Sequence, residues 1–276
     1  MNDPLLRVKN LVKKYDDRVI FDNVSLDIMK GESIALTGNN GMGKSTLIKI
    51  LCGLISINSG EIIRDKSLKF NYIPEKFPPL NIKAGEYIKL IGEIEGISTD
   101  DFVKKTNYLY KEFNLEKMIN ISMKNLSKGT LQKISVVQAF LSKPDILLLD
   151  EPLSGQDSES QKTFIRMVKE LINDDVTVIM SCHELFLIDQ LSTRILQVKN
   201  SKIFEIKKSD INFEKYASMT FYKKETDKSF ITQKVKGICD YYEDEDFIKF
   251  KTKVNESNRV LTEMINNGYT LKYFER

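Results

Sequence analysis

Nine consecutive residues, 38-GNNGMGKST-46, combine three glycines with one lysine and two hydroxyl side chains. Gly38, Gly43, Lys44 and Ser45 satisfy the spacing G-x-x-x-x-G-K-[ST]. That spacing suits an anion. Glycines let successive backbone N–H groups curl around it, and a helix that follows adds its positive N-terminal end. Lys44 can reach the β and γ phosphates of a nucleoside triphosphate, and the Ser45 hydroxyl can bind Mg²⁺. Gly38, Asn39, Asn40, Gly41, Gly43, Lys44, Ser45 and Thr46 are therefore the candidate phosphate contacts. Such a site also needs an acid at the end of a buried strand to hold the metal. Asp150, directly after 146-ILLL-149, has that place, and Glu151 beside it can orient or deprotonate an attacking water. His183, the single histidine of the chain, follows a second apolar run, 176-VTVIMS-181.

The flanking patterns supply the elements these residues need. An apolar β-type run, 34-IALT-37, precedes the glycine-rich turn, and an apolar helical run, 47-LIKILCGLI-55, follows it. Upstream, 5-LLRVKNLVKKY-15 and 18-RVIFDNVSLDI-28 alternate and predict two antiparallel strands turning at Asp16-Asp17. Short β-type pieces follow at 60–65 and 68–75. From about 83 to 142 the pattern is helical, with one apolar stripe at Tyr87, Ile88, Leu90, Ile91 and Ile94 and another at Leu131, Ile134, Val137 and Leu141. The apolar run ending at Asp150 predicts a strand buried on both faces. An amphipathic helix over 158–172 separates it from the run 176–181, and strand, helix, strand in that order implies an α/β fold. Past about residue 206 four strand-like runs and one helix-like run, 257–267, predict a small α+β appendage, whose aromatics Phe221, Tyr222, Tyr241, Tyr242 and Phe247 build its core.

The chain has 276 residues, which suits one large domain with a small addition. Lys and Arg number 42 against 39 Asp and Glu, and the two signs alternate, so no nucleic-acid partner is expected. Cys52, Cys182 and Cys239 are odd in number and lack metal-site spacing, which predicts no disulfide framework and a reducing compartment. The segment 1-MNDPLLRVKN-10 has no apolar core of signal-peptide length, and no apolar run approaches the ~18–20 residues of a membrane span. Work at a membrane would then require a second chain to cross it.

In this order the segments resemble the ATP-binding-cassette (ABC) ATPases, the nucleotide-binding subunits of ABC transporters, over about residues 5–205. The resemblance implies a P-loop NTPase core with an N-terminal antiparallel β subdomain, a RecA-like mixed sheet and a helical subdomain at about 77–142, together 1–205, and a small C-terminal α+β accessory domain at 206–276. It implies that Tyr15 stacks on adenine, that 72-YIPE-75 is the Q-loop with Glu75 near the metal, and that 126-LSKGTLQK-133 is the signature, whose Ser127 and Gly129 meet phosphate. Asp150 and Glu151 match the metal aspartate and catalytic glutamate, 154-SGQD-157 the D-loop with Asp157, and His183 the γ-phosphate sensor. The chain departs from the family pattern at Glu75, where Gln is usual, and at Lys128 and Thr130, where Gly and Gln are commonest. The segments LSKG and 74-PEKFPPLNIKAGEY-87 resemble the exporters of drugs, peptides and polysaccharides.

The function so implied is ATP hydrolysis with Mg²⁺. Two subunits, a homodimer or a paralogous heterodimer, clamp ATP head to tail, and the dimer drives a separate permease from the cytoplasmic face of the membrane. The alternatives are an importer subunit and a soluble ABC ATPase acting on ribosomes or DNA; relatives of the latter kind usually carry two cassettes or a long coiled-coil insertion, and this chain has neither.

Overall fold

Residues 6–28 alternate between buried and exposed, and Asp16 takes a positive φ of 49° at the turn between the two halves. A computed structural model, describing residues 3–210, 216–223, 239–243 and 246–275, folds them into antiparallel strands β1 (Leu6–Tyr15) and β2 (Arg18–Ile28). Strand β3 (Ser33–Thr37) and helix α1 (Lys44–Leu51) frame the glycine-rich turn. The helix ends at Leu51, inside the run read as helical over 47–55, because the chain turns at Gly53, which has a φ of 80°. Strand β4 (Ser59–Arg64) pairs with the free edge of β1, giving a three-stranded antiparallel sheet ordered β2-β1-β4.

Strands β5 (Phe70–Ile73), β6 (Ile146–Asp150) and β7 (Thr177–Ser181) join β3 in parallel, with β6 and β7 buried at every position. Helix α5 (Ser158–Asn173) makes the crossover from β6 to β7, burying Phe164, Ile165 and Val168. After α6 (Leu185–Leu191) come β8 (Arg194–Lys199) and β9 (Lys202–Ile206), joined by Asn200 and Ser201, both at positive φ. That is the backbone a tight hairpin requires. The sheet order is β5-β6-β7-β3-β8-β9, with only β9 antiparallel to its neighbour. One core joins this sheet, α1 and the three-stranded sheet through Phe21, Leu47, Ile48, Leu148 and Ile179.

Helices α2 (Ala84–Ile94), α3 (Thr99–Glu112) and α4 (Lys128–Phe140) form the helical section. Leu131, Ile134, Val137 and Leu141 are buried as their spacing predicts. The stripe read on α2 holds at Ile88 and is corrected at Leu90 and Ile94. That helix buries Ala84, Ile88 and Gly92, and leaves Leu90 46% and Ile94 79% exposed. Its contact row is the four-residue spacing 84, 88, 92, because a Cβ at Gly92 would lie 2.5 Å from Cδ2 of Phe102. The close approach of Phe102 at that glycine keeps the row on Ala84, Ile88 and Gly92, which leaves Leu90 and Ile94 outside it.

The chain divides into two compact units, Met1–Asp210 and Ile211–Arg276. The first unit extends past the boundary read at 205, since β9 runs to Ile206 and Lys208 pairs with Asp189 at 3.0 Å. In the second unit β10 (Tyr216–Tyr222), β11 (Cys239–Glu243), β12 (Phe247–Lys253) and β13 (Leu271–Glu275) make an antiparallel sheet ordered β11-β12-β10-β13, with α7 (Val254–Asn266) following β12. Met219, Phe221, Ile248, Phe250, Val260 and Met264 are its core. Phe221 is buried there as expected, whereas Tyr222 is 47% exposed and Phe247 lies under the Lys272 ammonium at 3.5 Å. The side chains of Tyr241 and Tyr242 lie outside the described residues.

Leu148 is fully buried between strands and helices, so Leu148→Ala should destabilise the first unit by about 2–5 kcal/mol in denaturant unfolding. Ile94→Ala, on the exposed face of α2, should change stability by about 0.5 kcal/mol or less; equal losses in the two would contradict the assignment of the α2 contact row.

Candidate functional site

β3 ends at Thr37 and α1 begins at Lys44, so residues 38–43 must reverse the chain against β2 and β8. Gly38, at φ 134°, would place a Cβ 2.4 Å from the Val198 carbonyl oxygen, and Gly43, at φ 107°, would place one 2.6 Å from Cγ2 of Ile20. Packing as well as backbone freedom therefore demands glycine at both. The loop closes on the buried Lys44 side chain. Its Nζ donates to the carbonyl oxygens of Gly38 at 2.7 Å and Asn39 at 3.4 Å, and lies 3.1 Å from Nε2 of His183. Burial draws the Lys44 pKa below its ordinary value, opposed by the charges of Glu151 and Asp150.

Asp150 closes β6 and is 2% exposed. Its Oδ1 accepts from Ser45 Oγ at 2.8 Å and from Ser181 Oγ at 2.6 Å, and its Oδ2 faces the Tyr72 hydroxyl at 3.5 Å. A hydroxyl and a carboxylate at this separation are hard oxygen donors that suit Mg²⁺, an ion that takes one or two protein oxygens and fills its shell with phosphate and water.

Glu151 leaves the strand at a φ of 47°, in the left-handed region. Such a backbone costs a non-glycine residue about 1–3 kcal/mol and gathers at functional sites. Its N–H points at both the carbonyl oxygen and the Oγ of Ser181, each 3.1 Å away. Burial, reinforced by the neighbouring Glu184 charge and opposed by Lys44, raises the Glu151 carboxyl to about 7. His183 completes the group: its Nε2 lies 2.8 Å from Asn40 Oδ1 and 3.1 Å from Glu151 Oε1. Burial, then Lys44, lowers its pKa, so at neutral pH the ring offers one N–H and one lone pair.

The phosphate-loop residues, Asp150, Glu151 and His183 thus converge. Glu75 lies close enough for its charge to act on Glu151 and Tyr72. Tyr15 ends β1 with its ring half exposed and the Lys13 ammonium 4.5 Å from the ring centre. The signature and D-loop residues engage each other instead. Ser127 caps α4, its Oγ accepting from the Thr130 N–H at 3.1 Å. Gly129 is so close to the D-loop that a Cβ would sit 2.4 Å from the Gly155 carbonyl oxygen. Asp157 caps α5 and pairs with Lys133 at 2.8 Å, which holds its carboxyl well below the usual range. Ser181, Glu184 and Lys133 escape a reading by motif. For Ser181 the available signal is a polar residue ending an apolar strand, two positions before the lone histidine.

Residues 21–154 match the family described as ABC transporter. An uncharacterized ABC transporter ATP-binding protein of Methanocaldococcus jannaschii is 32% identical over 200 residues, spanning 72% of this chain and 76% of that protein. The zinc import ATP-binding protein ZnuC of Rickettsia bellii is 32% identical over 197 residues, 71% of this chain and 83% of its own. Among solved structures, the dimeric post-hydrolysis state of the ATP-binding cassette MJ0796, bound to ADP and Pi, superposes with a TM-score of 0.65 at 25% identity, covering 74% of this chain and 98% of that one. The phosphate loop, the buried aspartate and the lone histidine sit on the fold these proteins share, and the chain belongs to the ABC transporter family as one of its ATP-binding, ATP-hydrolysing subunits.

Proposed function

We propose that this subunit drives a separate membrane permease by closing on ATP as one half of a head-to-tail pair and opening after hydrolysis. The convergence of Lys44, Ser45, Asp150, Glu151 and His183 on one glycine-bounded turn carries the reading. Lys44 and the N–H groups of residues 38–46 hold the phosphates, and Tyr15 stacks on the adenine. Ser45 and Asp150, with Glu75 as a further oxygen donor, would hold Mg²⁺, which neutralises phosphate charge when bound. Glu151 accepts a proton from the attacking water. The water oxygen bonds to the γ phosphorus as the bond to the bridging oxygen breaks, releasing ADP and phosphate. Neutral His183 donates its N–H to the γ-phosphoryl oxygens, and Lys44 stabilises the charge that develops there.

Ser127 and Gly129 serve the partner's nucleotide. Ser127 is exposed at the N-terminus of α4, where unpaired N–H groups favour an anion, and its contacts within the chain run to Thr130. The solved MJ0796 cassette, bound to ADP and Pi, is dimeric. No helix among the described residues is long and apolar enough to cross a membrane, which suits a subunit held peripherally at the cytoplasmic face. For direction we favour export, on the LSKG signature and the 74–87 segment. Import is the second reading, because the Rickettsia bellii relative is named for zinc import. ATP-driven accumulation of cargo in inside-out vesicles carrying the co-purified permease would support export, and dependence on an external solute-binding protein would support import.

Three outcomes test the site. Glu151→Gln should lower kcat by about 10²–10⁴-fold and leave ATP-bound dimers on gel filtration, because the proton acceptor is lost while the phosphate contacts remain. Lys44→Ala should weaken nucleotide binding by roughly ten-fold or more in a fluorescence titration, the size expected for a charge-assisted contact. Because Glu151 must be ionised to act and its carboxyl is raised to about 7, hydrolysis should climb as pH rises through that value. Glu184→Gln removes a like charge and should move this acidic limb to lower pH; an unmoved limb would take Glu151 out of the base role.

A further inference from the structure

We propose that Ser181 is a positioning residue for both acids of the site, holding the Asp150 carboxylate toward Ser45 and the Glu151 backbone in its left-handed turn. The inference rests on the roles given above to Asp150 and Glu151. It starts from strand register. Asp150 and Ser181 are paired partners at the C-terminal ends of the adjacent parallel strands β6 and β7, so their side chains leave the sheet on the same face. The Ser181 side chain is fully buried. Its single proton goes to Asp150 Oδ1 at 2.6 Å, and its Oγ accepts from the Glu151 N–H at 3.1 Å. One hydroxyl therefore bridges the metal aspartate and the peptide that aims the base.

A buried hydroxyl does not automatically find such partners in this chain. The Oγ atoms of Ser33, Ser122 and Ser135 are buried without any hydrogen-bond partner. Among the described residues no other hydroxyl is shown joining both acids. The Tyr72 hydroxyl reaches the other carboxylate oxygen only at 3.5 Å, the weak limit of a hydrogen bond. Ser45 shares Oδ1, but its oxygen is the one offered to the metal. With Ser181 in place, Oδ1 is pinned whatever Ser45 binds. The Glu151 N–H also meets the Ser181 carbonyl oxygen at 3.1 Å, so loss of the hydroxyl loosens the turn without breaking the strand pairing.

The decisive comparison is Ser181→Thr against Ser181→Val in the full chain, because the two side chains have the same shape and differ in the hydroxyl. Val should raise the Mg²⁺ concentration for half-maximal ATPase by about ten-fold and lower kcat by a similar factor, the usual size of an effect one contact removed from a metal ligand. Affinity for ATP measured without metal should stay unchanged, and Thr should recover most of both losses. Equal Mg²⁺ requirements and rates for Thr and Val would overturn the proposal. If the added methyl keeps both from folding, Ser181→Ala against the parent chain makes the same comparison without added volume. Asp150→Asn, run in parallel, separates the two levels. If it leaves the Mg²⁺ requirement unchanged, the metal-site reading falls; if it raises the requirement while Val behaves like Thr, only the role of Ser181 falls.

Discussion

The ammonium of Lys44 is buried where the chain turns from β3 into α1, and the arrangement of the site follows from its charge. A cation withdrawn from water carries a desolvation cost of several kcal/mol and must be met by oriented acceptors. Here the acceptors are the carbonyl oxygens of its own loop, at Gly38 and Asn39, with the His183 ring beside them. Those contacts set the curl of the loop, and the curl is possible only because Gly38 and Gly43 press on Val198 and Ile20 with no Cβ between. Lysine and glycines thus act as one device. The glycines let the backbone approach, and the lysine fixes the shape it takes.

Glu151 and Asp150 act on that cation, and the charges of Glu184, Asp150 and Glu75 reach the Glu151 side chain. Its own burial, then the neighbouring Glu184 charge, against the opposing pull of Lys44, lifts Glu151 into the range useful to a base at neutral pH. Asp150 is held by two hydroxyl donors, Ser45 and Ser181. Two adjacent acids at one strand end have different surroundings: hydroxyl donors for one, burial and like charge for the other.

Outside this centre, the signature and the D-loop are tied together within one chain, by the Gly129–Gly155 approach and the Lys133–Asp157 pair. A shift at either is therefore felt by the other. In the head-to-tail reading this connects the surface that serves the partner's nucleotide with the strand end that serves the chain's own. The second unit has its own core of Met219, Phe221, Ile248, Phe250 and Met264, in which Phe221 alone of the described aromatics read from the sequence takes part.

Local pattern was enough to read many of the elements, though β8 and β9 went unread. Alternation gave β1 and β2, unbroken apolar runs gave β6 and β7, and glycine spacing between a strand and a helix located the phosphate loop. The motif residues followed, because each motif is a few neighbours along the chain. On α2, spacing alone misjudged the buried face: Gly92, with no side chain to register as apolar, is the point where Phe102 comes closest. Spacing was equally silent on Ser181, whose partners Asp150 and Glu151 lie about 30 residues away in sequence. The amino-acid order thus determined which groups of this protein are the candidates to handle a triphosphate. Only the tertiary structure decided which of them meet, because strand register and helix crossing depend on contacts between segments far apart along the chain, and no local period encodes them.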